Sequence, residues 1–341
     1  MAILDTTNFH IVSADDPDSL ARASAIYEGC EEDLASLERL FRTSFHTGIT
    51  DHWPIWVFVQ QATGGNGAAN NYGYFPGQFM VINIFGTYTP NPNTFADPPI
   101  STAPTLEFNE HARVMLVAEL AELFMNYTSL WNPGDNAGEA LSVYLASLLH
   151  PMGYYPQAGY GSASGPRIQQ WLDSRATLNP TLRQNWISTI DPTDQDFVSF
   201  GCGIAFLHYL VSQLNHPIED VIQARDNAIY DTLAITYSKL TGNLVSQAFS
   251  DFSSLIDKHL PVINTHLPGF QVSVASDNLF PLWDTDQRGV FVSLSNMSVR
   301  PLPVDRLTTY QPFESVEVKP GLMGDNQNSR PTTIRIPDQR Q

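Results

Sequence analysis

Three acids lie inside the most apolar stretch of the chain, and their placement constrains the fold more than any other feature. Residues 106–149 read LEFNEHARVMLVAELAELFMNYTSLWNPGDNAGEALSVYLASLL. Val114, Leu116, Val117, Leu120, Ala121, Phe124 and Met125 recur at helical spacing, which predicts a helix near 108–126. Trp131 to Gly138 is dense in helix breakers. A second helix is predicted near 138–149, carrying Leu141, Val143, Tyr144, Leu145, Leu148 and Leu149. Glu119 and Glu122 sit inside the first pattern and share a helix face. Glu139 opens the second helix. A carboxylate withdrawn from water is costly unless it is paired, protonated or metal-bound. Three outcomes are open. The acids share a proton, which raises at least one pKa. They bind a hard cation such as Ca²⁺, Mg²⁺ or Mn²⁺. Or they meet backbone groups and an arginine from elsewhere, such as Arg167, Arg175 or Arg183, because Arg113 is the only cation within the stretch.

The pair formed by Ala118-Glu119-Leu120-Ala121-Glu122 and Gly138-Glu139-Ala140-Leu141-Ser142 resembles the gluzincin branch of zinc metallopeptidases. There, a helix bears H-E-x-x-H and the following helix supplies a glutamate. The two histidines and that glutamate hold zinc, and the glutamate inside the motif is the general base. The resemblance implies an α+β, zincin-like fold, mainly helical. It puts Glu119 at the base position and Glu139 at the third-ligand position. Ala118 and Glu122 stand where the two histidines belong. A further part of the resemblance is the helix from Phe197, where Phe200 falls at the place of an oxyanion-stabilising tyrosine. The expected function is therefore that of a pseudo-metallopeptidase lacking the zinc-binding histidines, serving binding or assembly. One alternative is a metal-dependent hydrolase with Glu119 as base and Glu122 and Glu139 as ligands. Another is a structural or interaction protein. No cofactor is expected, with a hard divalent cation at the three-glutamate site as the alternative.

The remaining sequence frames this centre. The chain has 341 residues and 43% hydrophobic content, enough for a substantial core. A net charge of −18 disfavours nucleic acid and anionic membrane surfaces and leaves a protein or peptide partner as the expected kind. No apolar run reaches membrane-spanning length. The N-terminus has no basic start and no long apolar run, so the default compartment is the cytoplasm unless a leader was removed. Cys30 and Cys202 form neither a disulfide framework nor a metal spacing.

In chain order, a long helix is expected from Asp16 to Phe45. Its apolar stripe is Leu20, Ala23, Tyr27, Cys30, Leu34, Leu37 and Phe41, and its solvated face is Glu28, Glu31, Glu32, Asp33 and Glu38. Strands are expected at 55–60 and 79–85, separated by a polar loop over 61–77. In zincins an edge strand beside the cleft binds extended peptide, and 79–85 is the segment the resemblance puts there. Short helices are expected at 168–172 and 181–187, and longer ones at 197–211, 219–237 and 244–259, with a turn at 241–243. The expected parts are 1–105, an N-terminal α/β portion; 106–267, the motif helix, glutamate helix and helical lobe; and 268–341, a β-rich appendage with a polar tail.

The histidines give no zinc spacing. His111 precedes Ala118 by seven residues, about 10 Å along a helix. His150 falls at a helix C-terminus, and His208 lies among Phe206, Leu207 and Tyr209 as a core or boundary residue.

Overall fold

Two short segments that precede the first helix begin a sheet. In the computed structural model, Ala2–Asp5 (β1) and Phe9–Ser13 (β2) pair antiparallel, and Phe9 and Ile11 point into the core. The structure describes residues 1–44, 54–60, 69–71, 80–85, 106–150, 168, 171–172, 174, 182–192, 196–259, 313–317 and 333–337. Three more strands follow: Ile55–Gln60 (β3), Ala69–Asn71 (β4) and Val81–Phe85 (β5). The sheet order is β1-β2-β3-β5-β4. The β2/β3 and β3/β5 pairs are parallel, whereas β4 runs antiparallel to β5. Strand β5 is thus paired on both sides and offers no free edge, contrary to the role expected for 79–85. The strand at that end of the sheet is β4, inside the segment expected to be only a polar loop.

Helix α1, Pro17–Leu40, begins where Asp16 accepts the Ser19 amide at 2.9 Å and Pro17 supplies a ready-made first turn. Its buried stripe is Ala23, Ile26, Cys30, Leu34 and Leu37. Ile26 replaces the expected Tyr27, which is exposed like Leu20. Asp33, expected on the solvated face, is buried. The helical phase set by Cys30, Leu34 and Leu37 carries it inward.

Helix α2, Leu106–Thr128, and helix α3, Asn136–Leu149, match the two expected helices, each reaching further N-terminally. α1 packs on β1, β2 and β3, α2 packs on β4 and β5, and the two helices pack on one another. A stack of Phe41 on Phe124, with centroids 5.1 Å apart, joins them. α3 packs against α2 and against α4, Phe197–His208. Gly203 permits the α3–α4 approach, since a Cβ there would lie 2.7 Å from the Ala140 Cβ. Every residue of α3 is buried except Glu139, which is half-buried.

α4 continues into a π-helical turn at Tyr209–Gln213. His208, at that junction, meets the Tyr144 ring edge-on with centroids 4.8 Å apart. Neither of its ring nitrogens has a hydrogen-bond partner among the described residues. Burial pushes its pKa down to about 3, so the imidazole is neutral.

The expected helix over 219–237 is two helices, α5 at Ile218–Gln223 and α6 at Leu233–Thr241. Between them the Asp231 carboxylate accepts the amides of Asp226 and Asn227, which diverts the backbone from helical bonding. Gly242 ends α6 in the left-handed conformation, φ 76°. A short 3₁₀ turn, Val245–Gln247, then leads into α7, Ala248–His259. Residues 182–190 form turns, bends and irregular chain rather than the expected helix over 181–187. Their carbonyls serve tertiary partners, as when Trp171 Nε1 donates to Gln184 O at 2.9 Å. Helical residues occur at 168, 171 and 172.

Near the C-terminus Phe313–Glu317 (β6) pairs antiparallel with Thr333–Pro337 (β7), so the polar tail contributes a strand. The rest of the β-rich appendage expected over 268–341 lies outside the described residues. The described residues form a mixed α+β fold in which helix predominates. No helix among them is long and apolar enough to cross a membrane.

Candidate functional site

Helix α2 is apolar almost all round because it is covered by the sheet, α1 and α3, and Glu119 interrupts that surface. Its residue exposure is 9%. Glu122, one turn on, is half-buried. Strand β4 brings Asn71 over both. Asn71 is in register with Ile82, on the sheet face that carries α2. Its side-chain Nδ2 donates to Glu119 Oε2 at 2.8 Å and to Glu122 Oε2 at 2.7 Å. One amide group thus meets two carboxylates, a donor to each.

Burial pushes the Glu119 carboxyl up to about 7, against the opposing pull of the Asn71 bond. Removing that bond moves the balance further. Asn71→Ala is expected to raise Glu119 above about 7 and to lower stability by about 1–3 kcal/mol, because a buried acceptor and a half-buried one lose a donor. NMR titration of isotope-labelled glutamate carboxyls, with urea melts of the same variant, checks both; an unmoved Glu119 titration would show that the amide has no hold on it.

Glu139 stands in the first turn of α3. Among the described residues no group of three or more His, Cys, Asp or Glu side chains is placed to hold a metal ion. The zinc that the resemblance implies does not fit the described residues around Glu119. That site offers carboxylate oxygens already bonded by an amide, whereas zinc sites draw on imidazole and thiolate. The His111 side chain lies outside the described residues. His150 is committed to Asp33, and His208 to the α3–α4 interface.

Arg113 and Arg183 bond to other carboxylates. Arg113 donates to both Asp33 oxygens, at 2.9 Å from Nε and 2.7 Å from Nη2, and to Gly29 O at 3.2 Å. Arg183 pairs with Asp257. Arg167 and Arg175 lie outside the described residues. The Asp33 carboxylate also meets His150 Nε2 at 2.9 Å. Burial alone would raise the Asp33 pKa, but the His150 and Arg113 bonds outweigh it and hold the group below its ordinary value. This second buried cluster ties α1 to α2 and to the end of α3.

Two residues of these clusters escape a reading of the sequence. Asn71 belongs to a three-residue strand of two asparagines and an alanine, which carries no strand signal of its own. Asp33 is masked by its acidic neighbours Glu31 and Glu32; only its phase relative to Cys30 and Leu37 distinguishes it.

No family model matches the chain, and no curated protein or solved structure matches it.

Proposed function

We propose that the protein is a zincin-fold pseudo-metallopeptidase that serves binding or assembly rather than peptide cleavage. The observation that carries this reading is the Asn71 side chain bonded to both Glu119 and Glu122. An edge strand closing over the motif helix and a following glutamate helix packed on it agree with a zincin-like arrangement. The residues in the ligand frame, Ala118 and Glu122, remove the imidazoles on which zinc would rest. Without an activated water, a glutamate base lacks the main source of rate in such enzymes. Phe200, buried in α4, has no hydroxyl to offer an oxyanion.

A second reading is a hydrolase in which Glu119 acts as general base. It draws on one feature: a carboxyl poised near 7 suits proton transfer at neutral pH. The two readings separate in one assay. The wild-type chain, supplied with Zn²⁺, Mg²⁺, Mn²⁺ or Ca²⁺, is expected to cleave a broad peptide library no faster than Glu119→Gln does. The double change Ala118→His with Glu122→His is expected to confer zinc binding, read by calorimetry. Cleavage by wild type that Glu119→Gln abolishes would replace the pseudoenzyme with the hydrolase.

A further inference from the structure

β1 is an end strand of the sheet, and among the described residues it pairs only with β2. The register fixes which of its backbone groups are spare. Thr6 N donates to Phe9 O at 3.0 Å, so the residues in step with Thr6, Leu4 and Ala2, are the ones that bond to β2. The N–H and C=O groups of Ile3 and Asp5 therefore point away from β2, along the open edge. The side chains there are open to solvent: Ile3 is 57% exposed, and the Asp5 side chain 67%.

Proteins blunt such an edge with proline, lysine, a bulge or a covering element. Ala2–Asp5 contains neither proline nor lysine and pairs with β2 residue for residue. What borders it is acid. Asp15 and Asp16 follow Ser13, the partner of Ala2, at one end of the strand. Asp5 stands at the other end, and in the adjoining turn Glu31 accepts the Asn8 amide at 2.8 Å. Asp18, Glu28 and Glu32 add exposed or half-buried acids along α1. Arg22 is the one Lys or Arg in residues 1–38, and it is buried. Such a border repels acidic chains, further copies of this one among them at a net charge of −18, and attracts a basic one.

We infer that the β1 edge docks a basic, extended segment of a partner protein, which joins the five-stranded sheet as a further strand. Its backbone bonds to the spare groups of Ile3 and Asp5. Its lysines or arginines lie beside Asp5 and the acids at the two ends of β1, and its alternate, apolar residues lie on the Leu4 side. β1 and β4 are at opposite ends of the sheet, so this docking stands apart from the reading of Glu119.

The probe is a short peptide alternating lysine with valine, fluorescently labelled and titrated with the full chain. The expected result is saturable binding that weakens as salt is added, with none by the same peptide carrying glutamate for lysine. Hydrogen exchange at the Ile3 and Asp5 amides, followed by NMR, should slow in the complex. Ile3→Pro removes an outward N–H and none of the β1–β2 bonds, so the variant should fold while binding falls about tenfold. Unchanged exchange at those two amides, or equal binding by the folded variant, overturns the inference. So does a wild-type dimer in sedimentation that Ile3→Pro dissolves, because the occupant would then be a second copy. Should the variant fail to fold, exchange at the two wild-type amides decides the matter alone.

Discussion

Gly138→Ala is expected to cost about 3 kcal/mol or more, or to prevent folding. A Cβ at position 138 would lie 1.9 Å from the Asn132 carbonyl oxygen and 2.7 Å from Pro133 Cα. Both are backbone atoms. They belong to the loop that ends at Asp135, the cap of α3, so relief by withdrawal would break the cap. The alanine gains about 1 kcal/mol of helix propensity over glycine, which is too little to compensate. Gly134→Ala is the control, because the nearest atom to a Cβ there is Asn132 Oδ1 at 3.6 Å. It should stay within about 0.5 kcal/mol of wild type. Urea melts of the two variants side by side decide the matter; equal midpoints would show that the loop yields freely.

Asp33→Ala is expected to cost about 3–5 kcal/mol at neutral pH. It strips the Asp33 carboxylate from a buried His150 and from Arg113 and leaves the guanidinium with the Gly29 carbonyl and the more distant Glu32 carboxylate, 3.7 Å away. The pH dependence has a definite sign. Asp33 sits below its ordinary 3.8 in the folded protein, so its contribution is present above that value and is lost as pH falls through the folded pKa. His208 acts in the same direction over a higher window, since its pKa drops from 6.5 to about 3 on folding and acid favours the unfolded chain in between. Glu119 acts the other way. Raised from 4.5 to about 7, it stabilises most below 4.5 and that contribution is lost as pH rises through 7. Denaturation followed from pH 8 downward should show Asp33→Ala closing its gap to wild type only in strong acid. A variant within about 1 kcal/mol of wild type at pH 7 would mean that the three-helix junction holds without its carboxylate.

How much of this was legible in the sequence depends on whether the signal is local. α2 and α3 were, because a run of apolar residues at helical spacing and a loop of breakers are both contained in one window. The end of α6 was as well, since Gly242 sits at the left-handed position that a helix stop favours. β1 and β2 were not. Their partners are each other and β3, more than forty residues on, and β1 alternates only between half-buried and exposed. Pairing of that kind is written in tertiary context rather than in propensity. The three glutamates were visible as a problem, but not the answer found for two of them. Asn71 lies 48 residues before Glu119 and 51 before Glu122. The break between α5 and α6 was missed because Asp231 acts on the amides of Asp226 and Asn227 through its side chain, which a count of apolar spacing does not register.

α3 is enclosed on every side but that of Glu139, and this limits how the molecule can move. A helix in that position has no hinge of its own: displacing it means parting α2 from α4, which is to lose the core altogether. Local breathing near the motif carboxylates must therefore fall to the other wall. That wall is β4, three residues joined to the sheet through β5 and to the helix through Asn71. The rigid partner and the yielding one are thus assigned by burial, and a guest approaching Glu119 and Glu122 would meet the yielding one first.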